Sequence, residues 1–167
     1  LPRLLSSLQK VRGLGQIIIL VVSERGIEAQ ALQKVQAQVL RFPNLHTLVV
    51  GMPEQELLQQ RMAQLGLGKL QMEVGLSGYG AVRNFGVVLA NVFGFDSVVF
   101  LDDDVVVDDA AFLEKAMYGL GKLTKKGIPI IAKTGFYFNS EGQFTSKSQD
   151  KWYNHFWQQG KAFNHWI

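Results

Sequence analysis

Short apolar runs alternate with amphipathic segments along most of the chain, and this alternation restricts the fold more than any other feature. Strands are predicted at residues 17–22, 46–50, 70–74, 98–101 and 128–132, and helices at residues 1–12, 27–41, 54–65, 81–92 and 108–120. Strands that alternate with helices form βαβ units, in which a helix connects two parallel strands. We therefore expect an α/β fold with a mostly parallel, Rossmann-like sheet and helices on both faces.

Length and composition narrow the possible functions. A chain of 167 residues is expected to form one domain with a hydrophobic core, and no apolar stretch is long enough to span a membrane. The net charge of +3 is modest and the basic residues are dispersed, so no nucleic-acid partner is expected. The chain has no cysteine, which excludes disulfides, thiolate metal sites and cysteine nucleophiles.

Three consecutive aspartates, Asp102, Asp103 and Asp104, directly follow the apolar run at residues 98–101. Such a run is typical of a strand buried on both faces. Adjacent carboxylates oppose each other's ionisation, and a divalent cation such as Mg²⁺ or Mn²⁺, which prefers carboxylate oxygens, removes that cost. We predict a cation site here, with Asp102 and Asp104 on the same side of the strand and Asp103 on the other. The alternative is an acidic strand end exposed to solvent.

A glycine-rich turn at residues 75–80 leads into the helix predicted at 81–92, with Ser77 or Gly78 as the N-cap of this helix. Backbone N–H groups at a helix start can bind an anion, and Arg83 in the first turn can add a bidentate contact to a phosphate. The carboxyl ends of parallel strands lie at one edge of a sheet. We therefore expect this turn and the aspartates to lie on one rim and to bind a diphosphate together with a metal.

Residues 81–86 (Ala-Val-Arg-Asn-Phe-Gly) and 99–104 (Val-Phe-Leu-Asp-Asp-Asp) resemble two motifs of the GT-A fold glycosyltransferases, most closely those of family 2. Members of that family carry an Ala-x-Arg-Asn-x-Gly helix start and an apolar strand that ends in Asp-x-Asp. The resemblance covers roughly residues 16–138. It implies a nucleotide-diphospho-sugar donor, a bound Mn²⁺ or Mg²⁺, and direct displacement at the anomeric carbon by an acceptor hydroxyl.

The resemblance also implies roles for individual residues. Asp102 and Asp104 would be the Asp-x-Asp pair that binds the metal, with Asp102 also near the donor ribose or sugar. The residues that it places at the donor are Ser23, Glu24, Arg25, Gly80, Arg83, Asn84, Asp102, Asp103 and Asp104. The whole chain, residues 1–167, is then a single GT-A-like nucleotide-sugar-binding domain with a donor half at about 13–138 and an aromatic C-terminal segment at 139–167.

Two parts of the family pattern differ in this chain. Members usually have a turn with proline and asparagine after the first strand and often an acidic pair after the second, but this chain has Ser-Glu-Arg-Gly and Gly-Met-Pro-Glu there. The base of the donor nucleotide is therefore open. Inverting members use a downstream carboxylate as general base. The candidates are Glu141 and Asp150, the only carboxylates in the last fifty residues, and the alternative is a base beyond the end of the chain.

Two other functions compete with glycosyl transfer. A sugar-nucleotide nucleotidyltransferase would be expected to show a Gly- and Arg-rich loop with a lysine after the first strand, which residues 23–26 do not match. A non-catalytic nucleotide- or metal-binding module is the other alternative. Because both chain ends look cut, we expect a fragment, either cytoplasmic or attached to a membrane through flanking segments. The acceptor (sugar, lipid or protein) is open.

Overall fold

The computed structural model describes residues 1–135 and 138. Contacts divide the chain into two compact units, Leu1–Tyr118 and Gly119–Ile167. The elements of the first unit are α1 (Pro2–Leu8), β1 (Ile17–Leu20), α2 (Glu28–Val39), β2 (Thr47–Val50), α3 (Met52–Gln64), a 3₁₀ helix (Gly68–Glu73), α4 (Tyr79–Val92) and α5 (Phe112–Met117). The fold is mixed α/β. The aromatic segment predicted at 139–167 lies outside the described residues.

The first two strands form the βαβ unit that the sequence predicts. β1 and β2 pair in parallel, with Ile17 opposite Thr47 and Leu20 opposite Val50, and α2 connects them. The Val21 N–H donates to the Val50 carbonyl at 2.9 Å, which continues the ladder past the end of β1. Both ends of α2, α3 and α4 lie within two residues of the predicted boundaries, so the periodic apolar pattern was sufficient to locate these helices.

Three of the predicted strands differ in the structure. The strand predicted at 70–74 is wrong, because residues 70–73 belong to the 3₁₀ helix and residue 74 follows it. Within the described residues the sheet has two strands, and residues 98–101 join no ladder although they are not helical. Residues 128–130 return along residues 122–124 in a tight antiparallel hairpin, not in a parallel strand. The positive φ of Gly127, 76°, allows that reversal.

One face of the sheet is covered by α3 and α4. The apolar side chains between the sheet and these helices form a cluster that we call the sheet cluster. Its buried members are Val50, Met62, Val74, Leu76, Phe85 and Leu89. Ile18, Leu20 and Leu48 of the strands pack against it. The cluster places α4, and with it the glycine-rich turn, beside the sheet.

A second apolar cluster involves the first residue of β1. We call it the α1 cluster, and its buried members are Leu4, Leu8, Val11 and Val107. Ile17, Leu101 and Phe112 pack against it. Ile17 and Ile18 therefore belong to different clusters, as expected when neighbouring side chains of a strand point to opposite faces. None of the helices among the described residues is long and apolar enough to cross a membrane.

The last helix of the first unit is shorter than predicted. α5 covers Phe112–Met117, and the Asp109 carboxylate accepts the Ala111 N–H at 2.8 Å just before it. Gly119 and Gly121 follow with φ of 83° and 74°, a conformation that does not continue a helix. The helix is therefore limited by a polar turn at one end and by glycines at the other.

Candidate functional site

The glycine-rich turn predicted at residues 75–80 runs directly into α4, which begins at Tyr79. Gly78 is the N-cap, with φ of 86°, and no side chain caps the helix. The first amides of a helix have no partner within it, so those at the start of α4 depend on water or a ligand. The earlier amides of the turn are already used: Gly75 N–H donates to the Ala81 carbonyl at 3.2 Å, and Leu76 N–H donates to Gln55 Oε1. Only the part of the predicted turn nearest α4 is therefore open to an anion.

Arg83 and Asp102, predicted independently for phosphate and metal binding, contact each other. Arg83 Nη2 donates to Asp102 Oδ1 at 2.8 Å, across 19 residues of sequence. The Arg83 side chain is 29% exposed and that of Asp102 is 54% exposed. Since both groups are partly in water, an ion pair of this kind contributes at most about 1 kcal/mol to stability. Its importance is that it joins the two motifs.

Two aromatic rings hold the Arg83 guanidinium. Its Cζ lies 5.1 Å from the centroid of the Tyr79 ring and 4.9 Å from that of Phe100. Cation–π contacts at exposed sites contribute about 0.5–1 kcal/mol each. The guanidinium is therefore oriented by two rings and one carboxylate before any ligand arrives.

The pKa of Arg83 is raised above its ordinary value. Partial burial is the largest single influence and lowers the pKa. The hydrogen bonds and charge interactions of the guanidinium with Asp102 and Tyr79 raise the pKa, and together they outweigh the effect of burial. An arginine is in any case protonated at every pH of interest. Arg83 is therefore a permanent positive charge beside the acidic triplet.

Gly86 explains why α4 approaches the segment before the aspartates so closely. A Cβ at this position would lie 2.6 Å from Phe100 Cε1 and 3.6 Å from Leu20 Cδ1. The absence of a side chain lets the Phe100 ring rest on α4 beside the end of β1. Phe100 contacts α4, whereas the next residue, Leu101, packs on the α1 cluster. The carboxyl end of β1, the start of α4 and the acidic triplet are thus brought side by side.

The acidic triplet itself is a turn. Asp103 and Asp104 occupy the turn positions, and Val105 N–H donates to the Asp102 carbonyl at 3.3 Å. The strand alternation from which we expected Asp102 and Asp104 on one side does not extend beyond Asp102. Asp103 and Asp104 are exposed.

The donor set at the triplet suits a hard cation but is incomplete without a ligand. Among residues 1–135 and 138, no group of three or more histidine, aspartate or glutamate side chains is arranged to hold a metal. Asp102 and Asp104 supply carboxylate oxygens, which Mg²⁺ and Mn²⁺ prefer. Mg²⁺ commonly binds through one or two carboxylates together with substrate phosphates. In ligand type, these two carboxylates therefore match a hard cation that takes its remaining ligands from outside the chain.

The other predicted donor residues lie in two places. Ser23, Glu24 and Arg25 follow β1, and the last two are exposed. Gly80 is in the first turn of α4 with open space where a Cβ would be. Asn84 Nδ2 donates to the Glu73 carbonyl at 2.8 Å, so this side chain connects α4 to the 3₁₀ helix. Glu141 and Asp150, the predicted general bases, lie outside the described residues.

Tyr79 and Phe100 belong to the site but were not singled out by the sequence reasoning. Tyr79 precedes Arg83 by four residues on α4, a spacing at which helical side chains meet, so this contact was predictable. Phe100 was read only as part of a buried strand. Its contact with Arg83 depends on the packing at Gly86 and has no local sequence signal.

Comparison of the chain with protein-family models, with curated proteins and with solved structures gives no match. The assignment of a function therefore depends on the residues of the site. The contact between the arginine of one motif and the first aspartate of the other is the observation from which a proposal can start.

Proposed function

We propose that this chain binds the diphosphate of a nucleotide-diphospho-sugar and serves as the donor-binding region of a GT-A-like glycosyltransferase. The supporting observation is the 2.8 Å contact between Arg83 and Asp102. One segment carries groups that bind phosphate and the other carries groups that bind a divalent cation. A metal-bound diphosphate needs both at the same place.

We further propose that residues 98–101 take the place of a third parallel strand beside β1, held there by side-chain contacts, in a Rossmann-like sheet with helices on both faces. Support comes from the side chains: Phe100 lies on α4, whereas Leu101 packs on the α1 cluster. Opposite orientation of neighbouring side chains is the geometry of a strand. The acidic triplet then follows a strand end, where ligands of parallel sheets are bound.

In the proposed mechanism, Arg83 binds an oxygen of the diphosphate and the first amides of α4 bind another. These groups stabilise the negative charge that develops on the departing diphosphate. Asp102 and Asp104 would hold a Mn²⁺ or Mg²⁺ ion, which would supply Lewis-acid chemistry to the departing diphosphate. Glu141 or Asp150 is the candidate to take the proton from the acceptor hydroxyl, which belongs to a sugar, a lipid or a protein.

The test is calorimetric titration of the chain with UDP and GDP, with and without Mn²⁺, for wild type and Asp104→Asn. The wild type is expected to bind one of the nucleotides more tightly when Mn²⁺ is present. Asp104→Asn should lose at least about tenfold of that metal-dependent affinity, because the amide removes a charged ligand of a hard cation. Its unfolding temperature should stay unchanged, since Asp104 is exposed.

Asp96→Asn is the matched control, because Asp96 is also an exposed aspartate but lies before the apolar run. Wild-type metal dependence in Asp104→Asn, or its loss in Asp96→Asn, would contradict the metal assignment. Incubation with sugar nucleotides and, separately, with a sugar phosphate plus a nucleoside triphosphate then separates the alternatives. Sugar transfer or hydrolysis supports a transferase, condensation of a sugar phosphate with a nucleoside triphosphate indicates a nucleotidyltransferase, and binding without turnover indicates a non-catalytic module.

A further inference from the structure

We infer that Arg83 is a built-in counter-cation of Asp102, which competes with a divalent metal for this carboxylate until a diphosphate binds the guanidinium. Metal and diphosphate then bind in a mutually dependent way. This inference rests on the proposed function and adds to it a coupling between the two ligands.

The first argument is that the metal carboxylate already has a cation. Arg83 Nη2 lies 2.8 Å from Asp102 Oδ1, a distance at which the two charges are directly paired. The Tyr79 and Phe100 rings keep the guanidinium there, with its Cζ about 5 Å from each centroid. Because an arginine side chain does not lose its proton in proteins, this positive charge is permanent. In the free protein, a metal approaching Asp102 meets a fixed positive charge at contact distance.

The second argument concerns what a diphosphate changes. A diphosphate carries more negative charge than one carboxylate and can accept two parallel N–H bonds from a guanidinium. The Arg83 side chain is 29% exposed, so its guanidinium is accessible to a diphosphate from solvent. Once Arg83 binds the diphosphate, Asp102 is released for the metal, and the metal gains phosphate oxygens as ligands. Each ligand therefore removes an obstacle to the other.

The consequence is a reciprocal coupling. By linkage, the factor by which diphosphate raises metal affinity equals the factor by which metal raises diphosphate affinity. Couplings of this kind typically amount to about 5- to 150-fold. Removal of the Arg83 charge should reduce the factor, because Asp102 is then available to the metal from the start.

The experiment measures bound Mn²⁺ by electron paramagnetic resonance, without nucleotide and with saturating UDP or GDP at equal free Mn²⁺. The proteins are wild type, Arg83→Gln and Arg83→Lys. Arg83→Gln is expected to bind Mn²⁺ alone at least about fivefold more tightly than wild type and to respond less to nucleotide. Arg83→Lys keeps the charge, so its binding of Mn²⁺ alone should stay as weak as that of wild type.

Arg12→Gln is the matched control, because Arg12 forms an ion pair with Glu114 at 3.3 Å and has no contact with the triplet among the described residues. It should behave like wild type. Nucleotide-dependent Mn²⁺ binding that is equally strong in wild type and Arg83→Gln, with equal binding of Mn²⁺ alone, overturns the inference and leaves the proposed function standing. Wild-type protein that binds no Mn²⁺ even with either nucleotide overturns both.

Discussion

Two four-residue apolar segments of this molecule, β1 at Ile17–Leu20 and the run at 98–101, have similar sequences but different surroundings. β1 is half-buried and hydrogen-bonded to β2 along its length. Val98, Val99 and Phe100 remain 36–42% exposed and join no ladder among the described residues. A β-branched run therefore favours extended backbone, but a neighbouring strand is needed to complete its hydrogen bonds.

The difference has a consequence for the site. β1 is positioned by backbone hydrogen bonds, which side-chain substitutions leave intact. The segment before the aspartates is positioned by three side-chain contacts: Phe100 on Gly86, Leu101 on the α1 cluster and Asp102 on Arg83. Substitutions at these contacts should disturb the aspartates more than equal changes disturb β1.

The largest expected effect is a loss of stability when a side chain is removed from the sheet cluster, which packs on β1. Phe85 is completely buried in the sheet cluster, and Phe85→Ala should lower the free energy of unfolding by about 3–5 kcal/mol. Urea denaturation followed by circular dichroism measures it. Val87→Ala, an exposed position of the same helix, is the control and should cost about 1 kcal/mol or less. Equal losses in the two variants would show that the sheet cluster is not the main support.

A smaller effect is expected at the contact that positions the aspartates. Gly86→Ala places a methyl group 2.6 Å from Phe100 Cε1 and should destabilise by about 1–3 kcal/mol, reduced by the better helix propensity of alanine. Gly80→Ala is the matched control, since a Cβ at this position would meet open space. This substitution should stabilise α4 by up to about 1 kcal/mol, because alanine has the better helix propensity. Both values come from urea denaturation.

A double-mutant cycle sharpens that prediction. Phe100→Leu removes the ring that the new methyl group would meet, so Gly86→Ala should be less destabilising in its presence. If Gly86→Ala is equally costly with leucine at position 100, the ring is not what excludes a side chain at Gly86. Phe100 would then not be the contact that positions Asp102.

The smallest expected effect lies outside both segments, at the start of α5. The pKa of Asp109 is lowered, first by its hydrogen bond from Lys115 and then by that from the Ala111 N–H. A carboxylate with a lowered pKa stabilises the fold above its unfolded pKa, and this contribution is lost as the pH falls through the folded pKa. Asp109→Asn should therefore have a slightly lower unfolding temperature than wild type at pH 7.

The pH dependence checks the assignment. The difference in unfolding temperature between wild type and Asp109→Asn should shrink as the pH is lowered from 7 through the folded pKa of Asp109, where the aspartate becomes protonated. Asp96→Asn serves as the control for a general effect of losing one exposed aspartate. A difference that grows towards acid pH would contradict the lowered pKa.

Much of the local structure was predictable from the sequence because it depends on neighbouring residues. The amphipathic periods of α2, α3 and α4 and the apolar runs of β1 and β2 specify these elements. Gly78 was one of two predicted N-caps, and its positive φ is a conformation that glycine adopts readily. The strand predicted at 70–74 was wrong. The backbone there forms a 3₁₀ helix, and Met72, which a strand in the core would bury, is almost fully exposed.

The sequence by itself determined that three acids follow an apolar run and that a glycine-rich turn precedes a helix with an arginine near its start. Only the tertiary structure decided that Arg83 contacts Asp102, that two rings hold the guanidinium, and that the triplet is a turn. The physical reason is that these contacts join residues far apart in the chain. They depend on how closely α4 approaches the apolar run at Gly86, and no local pattern encodes that distance.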